Sequence, residues 1–213
     1  MNNKDEKQNA LFLQRLMAYI IDVLLISFAV SLLSLPFYDT EGVQKLDSAN
    51  QKIMNKYMDK KIDVKSYLSE SIEINYEVAR KSGVIYLFEL VLSIIYFVVY
   101  QFYNDGETLG KKVMHIKVVK NDESELTIND LIYRSLIINS IFINIIILSL
   151  IIFASSNVYF YGALTIQFIQ YAVVIISAFM VMFSKSSRGL HDLVANTKVI
   201  RNNIVKELEV CEN

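Results

Sequence analysis

Two ionisable residues stand inside the first apolar run of the chain. In Leu13-Gln14-Arg15-Leu16-Met17-Ala18-Tyr19-Ile20-Ile21-Asp22-Val23-Leu24-Leu25, Arg15 lies at the mouth and Asp22 about two helical turns deeper. A charged carboxylate in hydrocarbon costs about 2.5–3.5 kcal/mol on insertion scales, so it is kept with a partner or for a task. Such a carboxylate can alternate between a protonated and an ion-bound form. Helical spacing puts Arg15 and Asp22 on one face but about 10 Å apart along the axis, beyond direct contact. Other segments must therefore complete each pair: Arg134 or Arg188 for Asp22, and Asp192 for Arg15. Glu89 is a second acid within an apolar run. The helical rise separates it from Asp22 by roughly 10–15 Å along the membrane normal, which argues against a shared-proton carboxyl pair.

Other chemistries fare worse. His191-Asp192 is an inviting dipeptide, but no serine, cysteine or metal-ligand constellation accompanies it, so a non-enzyme is expected. His115 and His191 are too few for a histidine-based zinc site, and no cofactor is indicated. The run from Gly106 to Lys112 has the spacing Gly-x3-Gly-Lys-Lys, one residue short of a phosphate loop and without its hydroxyl. The formal net charge of −1 gives no footprint for nucleic acid. A single cysteine, Cys211, cannot form an internal disulfide and reads as an incidental thiol.

The elements that position the charged residues are membrane spans. Hydrophobic residues make up 54% of the 213, there is one proline, and the apolar residues come in blocks rather than amphipathic patterns. Four blocks, about residues 16–37, 84–102, 131–153 and 159–183, have the length that crosses a hydrocarbon core about 30 Å thick. Ala29-Val30-Ser31 would pass as a signal cleavage site, but the apolar run continues past it and contains Asp22, so a retained first helix is expected. Pro36 marks its outer end. Residues 38–82 form an insertion with eight basic and eight acidic residues. Its apolar positions recur at helical spacing on either side of Asp59-Lys60-Lys61-Ile62-Asp63, which predicts two amphipathic helices with Asp63 as N-cap of the second. Residues 106–120 turn on two glycines and continue as a basic, β-branched, strand-like segment. Thr127-Ile128-Asn129-Asp130 has the form of a capping box at the start of the third span. The short turn Ala154-Ser155-Ser156-Asn157 makes the third and fourth spans an antiparallel hairpin. Asn139, Asn144, Gln167 and Gln170 lie within these spans, as hydrogen-bond glue between helices or as the lining of a pathway. Lysine and arginine counts near the short loops place both termini in the cytosol, although Arg80-Lys81 flank a span on the other side.

Read together, Arg15 with Asp22, the loop Gly106-Glu107-Thr108-Leu109-Gly110-Lys111-Lys112 followed by Ile116-Lys117-Val118-Val119, and Arg188-Gly189-Leu190-His191-Asp192-Leu193-Val194-Ala195-Asn196-Thr197 resemble, in order and topology, the RDD family of bacterial membrane proteins. The resemblance spans the chain outside residues 38–82, an insertion longer than the family pattern. Asn196 stands where glycine is commoner, a small departure because asparagine tolerates left-handed turns. The spans and loops read above make an all-α, multi-pass protein of the cell membrane, a four-helix bundle with an extracytoplasmic helical insertion and a short cytosolic strand-like loop, and the resemblance agrees with this outside the insertion. It implies Arg15, Asp22 and Asp192 as key positions and Gly106, Thr108, Gly110 and Lys111 as a motif loop. It also implies a transport-linked role, cation/proton exchange being attributed to some members, with a monovalent cation or proton as the species moved. Four helices enclose little volume, so a pathway would call for a homo-oligomer. The competing expectation is a non-catalytic subunit or regulator that docks a partner membrane protein through the outer insertion, with the charged residues acting as structural locks.

Overall fold

The computed structural model describes residues 9–202. The expected cytosolic tail before Asn9 and the polar tail carrying Cys211 lie outside the described residues. The chain is mostly helical: α1 Phe12–Ser34, a 3-10 turn Leu35–Phe37, α2 Thr40–Met58, α3 Val64–Lys81, α4 Gly83–Ile94, α5 Gln101–Tyr103, α6 Leu109–Val113, β1 Ile116–Lys120, α7 Ile128–Ile138, α8 Ile141–Phe153, α9 Ser156–Phe183, α10 Leu190–Val194 and β2 Thr197–Arg201. A π-helical turn, Ile95–Tyr100, joins α4 to α5 without interrupting the rod. Three helical stretches are long and apolar enough to cross a membrane, Phe12–Phe37, Gly83–Tyr103 and Ser156–Phe183, and α7 with α8 makes a fourth if the pair counts as one broken span. Their outward side chains are large and bare, Phe28 being 70% and Phe168 74% exposed. Apolar surface on this scale is suited to lipid rather than water.

The third apolar run departs from expectation. Composition predicts a continuous helix over residues 131–153, and the structure breaks it sharply between Ile138 and Ile141. Asn139 and Ser140 are weak helix formers whose side chains compete for backbone groups. Ser140 takes a left-handed φ of 56°, and Asn139 makes the last helical bond, its N–H donating to Ser135 O at 3.1 Å. Irregular backbone at membrane depth needs its freed polar groups satisfied. Gln170 of α9 does so, its Nε2 donating to Ile137 O at 3.2 Å and to Ser140 Oγ at 3.1 Å.

Contacts divide the chain into two compact units. Among the described residues the first comprises residues 9–28, 92–141 and 170–202. It contains a strand pair in an otherwise helical protein: β1 and β2 run antiparallel, with Val118 opposite Val199, and Asn9 bridges to Ile200. Ile116, Val118, Val199 and Ile200 are all buried. Burial of these β-branched side chains selects the extended pairing.

The second unit comprises residues 29–91 and 142–169. Asp39 caps α2 through Gly42 N at 2.9 Å and pairs with Lys81 at 2.5 Å, and Asp63 caps α3 through Ser66 N at 3.0 Å. Lys81 and the Gly42 N–H together hold the exposed Asp39 carboxyl below the usual carboxylate range. Tyr57 stacks on Tyr67 with ring centroids 4.9 Å apart, and Ser71 Oγ donates to Asn50 Oδ1 at 3.1 Å, so α2 and α3 lie against each other. Ala79, Ile147 and Ile151 form the buried core of this unit, and the Tyr76 hydroxyl donates to Ala154 O at 2.6 Å, closing the end of α8.

Candidate functional site

Ionisable side chains from α1, α6, α7 and α10 meet in the first unit, arranged around two carboxylates. Asp22 is 1% exposed on α1. Its Oδ1 accepts from Tyr96 Oη at 2.6 Å and from Gly110 N at 2.8 Å, and its Oδ2 accepts from Thr108 Oγ1 at 2.6 Å. The expectation that Arg134 or Arg188 pairs with Asp22 is therefore corrected. Two hydroxyls and a backbone N–H take that place, each bond to a charged acceptor contributing about 1.5–3 kcal/mol.

Local sequence explains how these donors arrive. Tyr96 sits in the π-helical turn, a feature frequent at functional sites because it re-aims side chains. Thr108 is the N-cap of α6, its Oγ1 accepting from Lys111 N at 3.3 Å while its own proton goes to Asp22. Gly110 permits the approach of α6 to α1: a Cβ there would lie 2.2 Å from Ala18 O and 2.7 Å from Asp22 Oδ1. Gly106, at φ 82°, makes the preceding turn, and its carbonyl accepts from Gln101 Nε2 at 2.9 Å and Val118 N at 3.1 Å. The motif loop is thus a short capped helix that delivers two donors to one carboxylate.

Asp192, fully buried, sits in the first turn of α10 and accepts from Gly189 N at 3.0 Å. Arg15 Nη1 donates to its Oδ2 at 2.9 Å, as the topology predicted, and Arg134 Nη1 donates to its Oδ1. Arg134 also reaches Thr197 Oγ1 at 3.2 Å, and Arg15 Nη2 reaches Val199 O at 3.3 Å, so both guanidiniums bind β2 as well. Burial pushes the Asp192 carboxyl up, but Arg134, His191, Arg15 and the Gly189 N–H outweigh it and leave the carboxyl well below the usual carboxylate range. Arg188 serves the backbone, donating from Nε to Thr197 O at 2.9 Å and from Nη2 to Asp192 O at 3.2 Å. Asn196 does take the left-handed conformation, at φ 47°, and its Oδ1 accepts from Arg188 at 3.4 Å.

His191 Nδ1 lies 2.8 Å from Ser177 Oγ, which also accepts from Leu190 N at 3.1 Å. Burial, followed by the charge of Arg134, pushes the imidazole down to about 3. The expectation that no serine accompanies His191-Asp192 is thus corrected: Ser177 joins them in one buried network, with His191 Nε2 3.6 Å from Asp192 Oδ1, and a ring held neutral in this way is a poor proton acceptor near pH 7. Lys111 has a different environment. Among the described residues its Nζ meets Thr108 Oγ1 at 3.4 Å and Gln101 Oε1 at 3.5 Å, and burial lowers it to about 8 against the opposing pull of Asp22. Arg15, Asp22, Lys111, Arg134 and His191 all line one cavity of about 190 Å³.

Asn139 lines the same cavity and donates from Nδ2 to Ser135 Oγ at 3.2 Å. Gln170, three residues from Gln167, supports the helix break as described, while Gln167 falls in the second unit. Glu89 and Asn144 also belong to the second unit and are not among the residues gathered here; Asn144 is buried, and its Nδ2 has no acceptor among the described residues. Tyr96, Gln101 and Ser177 were not singled out from sequence. Their only signal is a polar atom inside an apolar run, which is common in membrane helices.

Comparison with curated proteins and with solved structures finds no match. The model of the RDD family matches residues 9–196. That range takes in Arg15 and Asp22 on α1, the Asp22-binding loop around Thr108 and Gly110, and Asp192 with its two arginines, and the chain belongs to the RDD family of multi-pass membrane proteins.

Proposed function

We propose that the chain is a transport-linked protein of the cell membrane in which Asp22, Thr108 and Lys111 form a proton relay. One observation carries this reading: a single hydroxyl, Thr108 Oγ1, stands 2.6 Å from Asp22 Oδ2 and 3.4 Å from Lys111 Nζ at the wall of a cavity. A proton leaving Lys111 for Thr108, as the Thr108 proton passes to Asp22, turns a charged pair into a neutral one. Low polarity makes those two states closer in energy than they are in water. A lysine near pH 8 is matched to proton traffic at neutral pH. Of a monovalent cation and a proton, the geometry favours the proton, because the atoms facing Asp22 are donors and a cation needs acceptors. Both termini and the charge cluster belong to the cytosolic side on this reading, and α2 with α3 to the outer side, following the bias of lysine and arginine in the short loops. The role is not enzymatic, and a homo-oligomer supplies the volume a pathway needs.

The full chain in proteoliposomes with an imposed pH gradient tests this. Proton movement is expected to fall at least tenfold in both Asp22→Asn and Lys111→Met with the protein still folded. Flux equal to wild type in both variants overturns the relay.

A second reading, a regulator that docks a partner membrane protein, is favoured by apolar side chains left bare on the insertion: Met58 is 68% exposed and Val64 53%. Deleting residues 43–81 separates the two. Loss of a co-purifying membrane protein with the rest folded supports the regulator, and retained Asp22-dependent flux supports the transporter.

A further inference from the structure

The charge in the cavity does not balance. Among the described residues, the cluster holds three cations, Arg15, Lys111 and Arg134, against the carboxylates of Asp22 and Asp192. Asp192 is taken by the two arginines, and Asp22 by three uncharged donors. Lys111 is left with two oxygens at the outer limit of hydrogen bonding and no carboxylate in ion-pair contact among the described residues. The half-buried ammonium of Lys111 meets the charge of Asp22 only across Thr108, and the cluster carries one positive charge in excess, so an anion in the cavity beside Lys111 would relieve the cost of that charge. The rest of the wall is apolar, with Leu16, Ile138, Val174 and Val181 lining it. A cavity of roughly 150 Å³ lined by such side chains takes a benzene-sized group. The volume here, about 190 Å³, is somewhat larger.

From this charge, wall chemistry and volume, we infer that the cavity binds a small monocarboxylate with an apolar body, its carboxylate on Lys111 and its body against Leu16, Val174 and Val181. The inference rests on the relay proposed above and gives that relay a substrate class. A bound carboxylate that takes a proton from Lys111 becomes the neutral acid and leaves an amine, which a proton from water restores. The acid can be a soluble one or the head of a fatty acid drawn from the bilayer, since both present the same carboxylate on an apolar chain.

Calorimetry and thermal unfolding of the full chain in phosphatidylcholine nanodiscs test it, with hexanoate, oleate and the neutral isostere hexanol as probes. One of the two acids is expected to bind saturably, at least tenfold more tightly than hexanol. Binding is expected to weaken at least tenfold in Lys111→Gln and to be lost when Val174→Phe fills the cavity. Saturation by hexanoate marks an aqueous source, and saturation by oleate alone a membrane source. Equal binding of hexanol and hexanoate, no saturable binding of either acid, or wild-type acid binding in Lys111→Gln overturns the inference; that last variant serves even if Val174→Phe fails to fold. Asp22-dependent proton flux without acid binding would refute this inference and leave the relay standing, whereas acid binding without flux would do the reverse.

Discussion

Arg15 and Asp192 are 177 residues apart in the chain and 2.9 Å apart in space. The same carboxylate takes Arg134 on its other oxygen, so one buried anion ties α1, α7 and α10 together. Because both guanidiniums also bind β2, this anion fixes the strand pair against the helix ends. The lock holds in place the loop whose Thr108 and Gly110 serve Asp22. The two carboxylates thus differ in their surroundings, Asp192 being held by two arginines and Asp22 by three uncharged donors.

Removing the charge of the lock should be severe. Asp192→Asn leaves two buried arginines facing no anion, a change that costs about 3–5 kcal/mol. A large drop in unfolding temperature in nanodiscs is expected, together with new protease cleavage near Ser186 and Ser187. An unfolding temperature within a degree of wild type would show that the pair is not structural.

Gly110→Ala should push α6 away from α1. The added Cβ would sit 2.2 Å from Ala18 O, a backbone atom that cannot step aside cheaply, and 2.7 Å from Asp22 Oδ1. Loss of the Gly110 and Thr108 bonds to Asp22 is expected to destabilise by several kcal/mol, about 1–3 for each unsatisfied group. Gly162→Ala is the control: its Cβ meets the flexible end of Leu150 at 3.1 Å and should be tolerated. Unfolding temperatures of the two variants decide the matter, and equal values would contradict the close approach.

Acid should unfold the protein through His191. Its folded value, about 3, lies below the unfolded 6.5, so as pH falls below 6.5 the unfolded chain takes up a proton that the folded chain refuses. Stability is therefore lost progressively between pH 6.5 and about 3, on the order of 2–3 kcal/mol by pH 4.5. The depressed Asp192 adds its own loss below the ordinary carboxylate range. His191→Gln should flatten the upper part of this curve. Parallel pH profiles of wild type and variant would exclude His191 as its origin.

Lys111 predicts a trend of the same sign in alkali. Its folded value, about 8, lies below the ordinary 10.5, so between those limits the unfolded state binds more protons and folding gains stability as pH rises. Lys111→Met removes the titration, so the variant's advantage at pH 7 should shrink as pH approaches 10.5. An advantage that does not change with pH would mean the ammonium is solvated.

Gln170→Leu strips the donor from Ile137 O and Ser140 Oγ. A cost of about 1–3 kcal/mol is expected, with faster amide exchange confined to residues 137–142. Unchanged exchange there would show that the break does not depend on Gln170.

Several features could be read along the chain because each depends only on neighbouring residues. Apolar blocks about 20 residues long must be spans whatever they pack against, and the caps at Asp63 and Thr127 act on N–H groups three residues away. The need for partners at Arg15 and Asp22 was equally plain, since burying charge is costly in any arrangement. The identity of Asp22's partners was not legible. Its donors come from positions 74, 86 and 88 residues downstream, and whether Tyr96 or an arginine reaches it depends on a π turn and on a glycine that lets α6 approach. Arg134 and Arg188 carry the same charge and fit the same topology, so only their packed positions could assign one to a carboxylate and the other to carbonyl oxygens. The break at Ser140 was hidden in the same way. Local propensity there is weak, and Gln170, from another helix, tips the balance by taking up the carbonyl that a continuous helix would have satisfied.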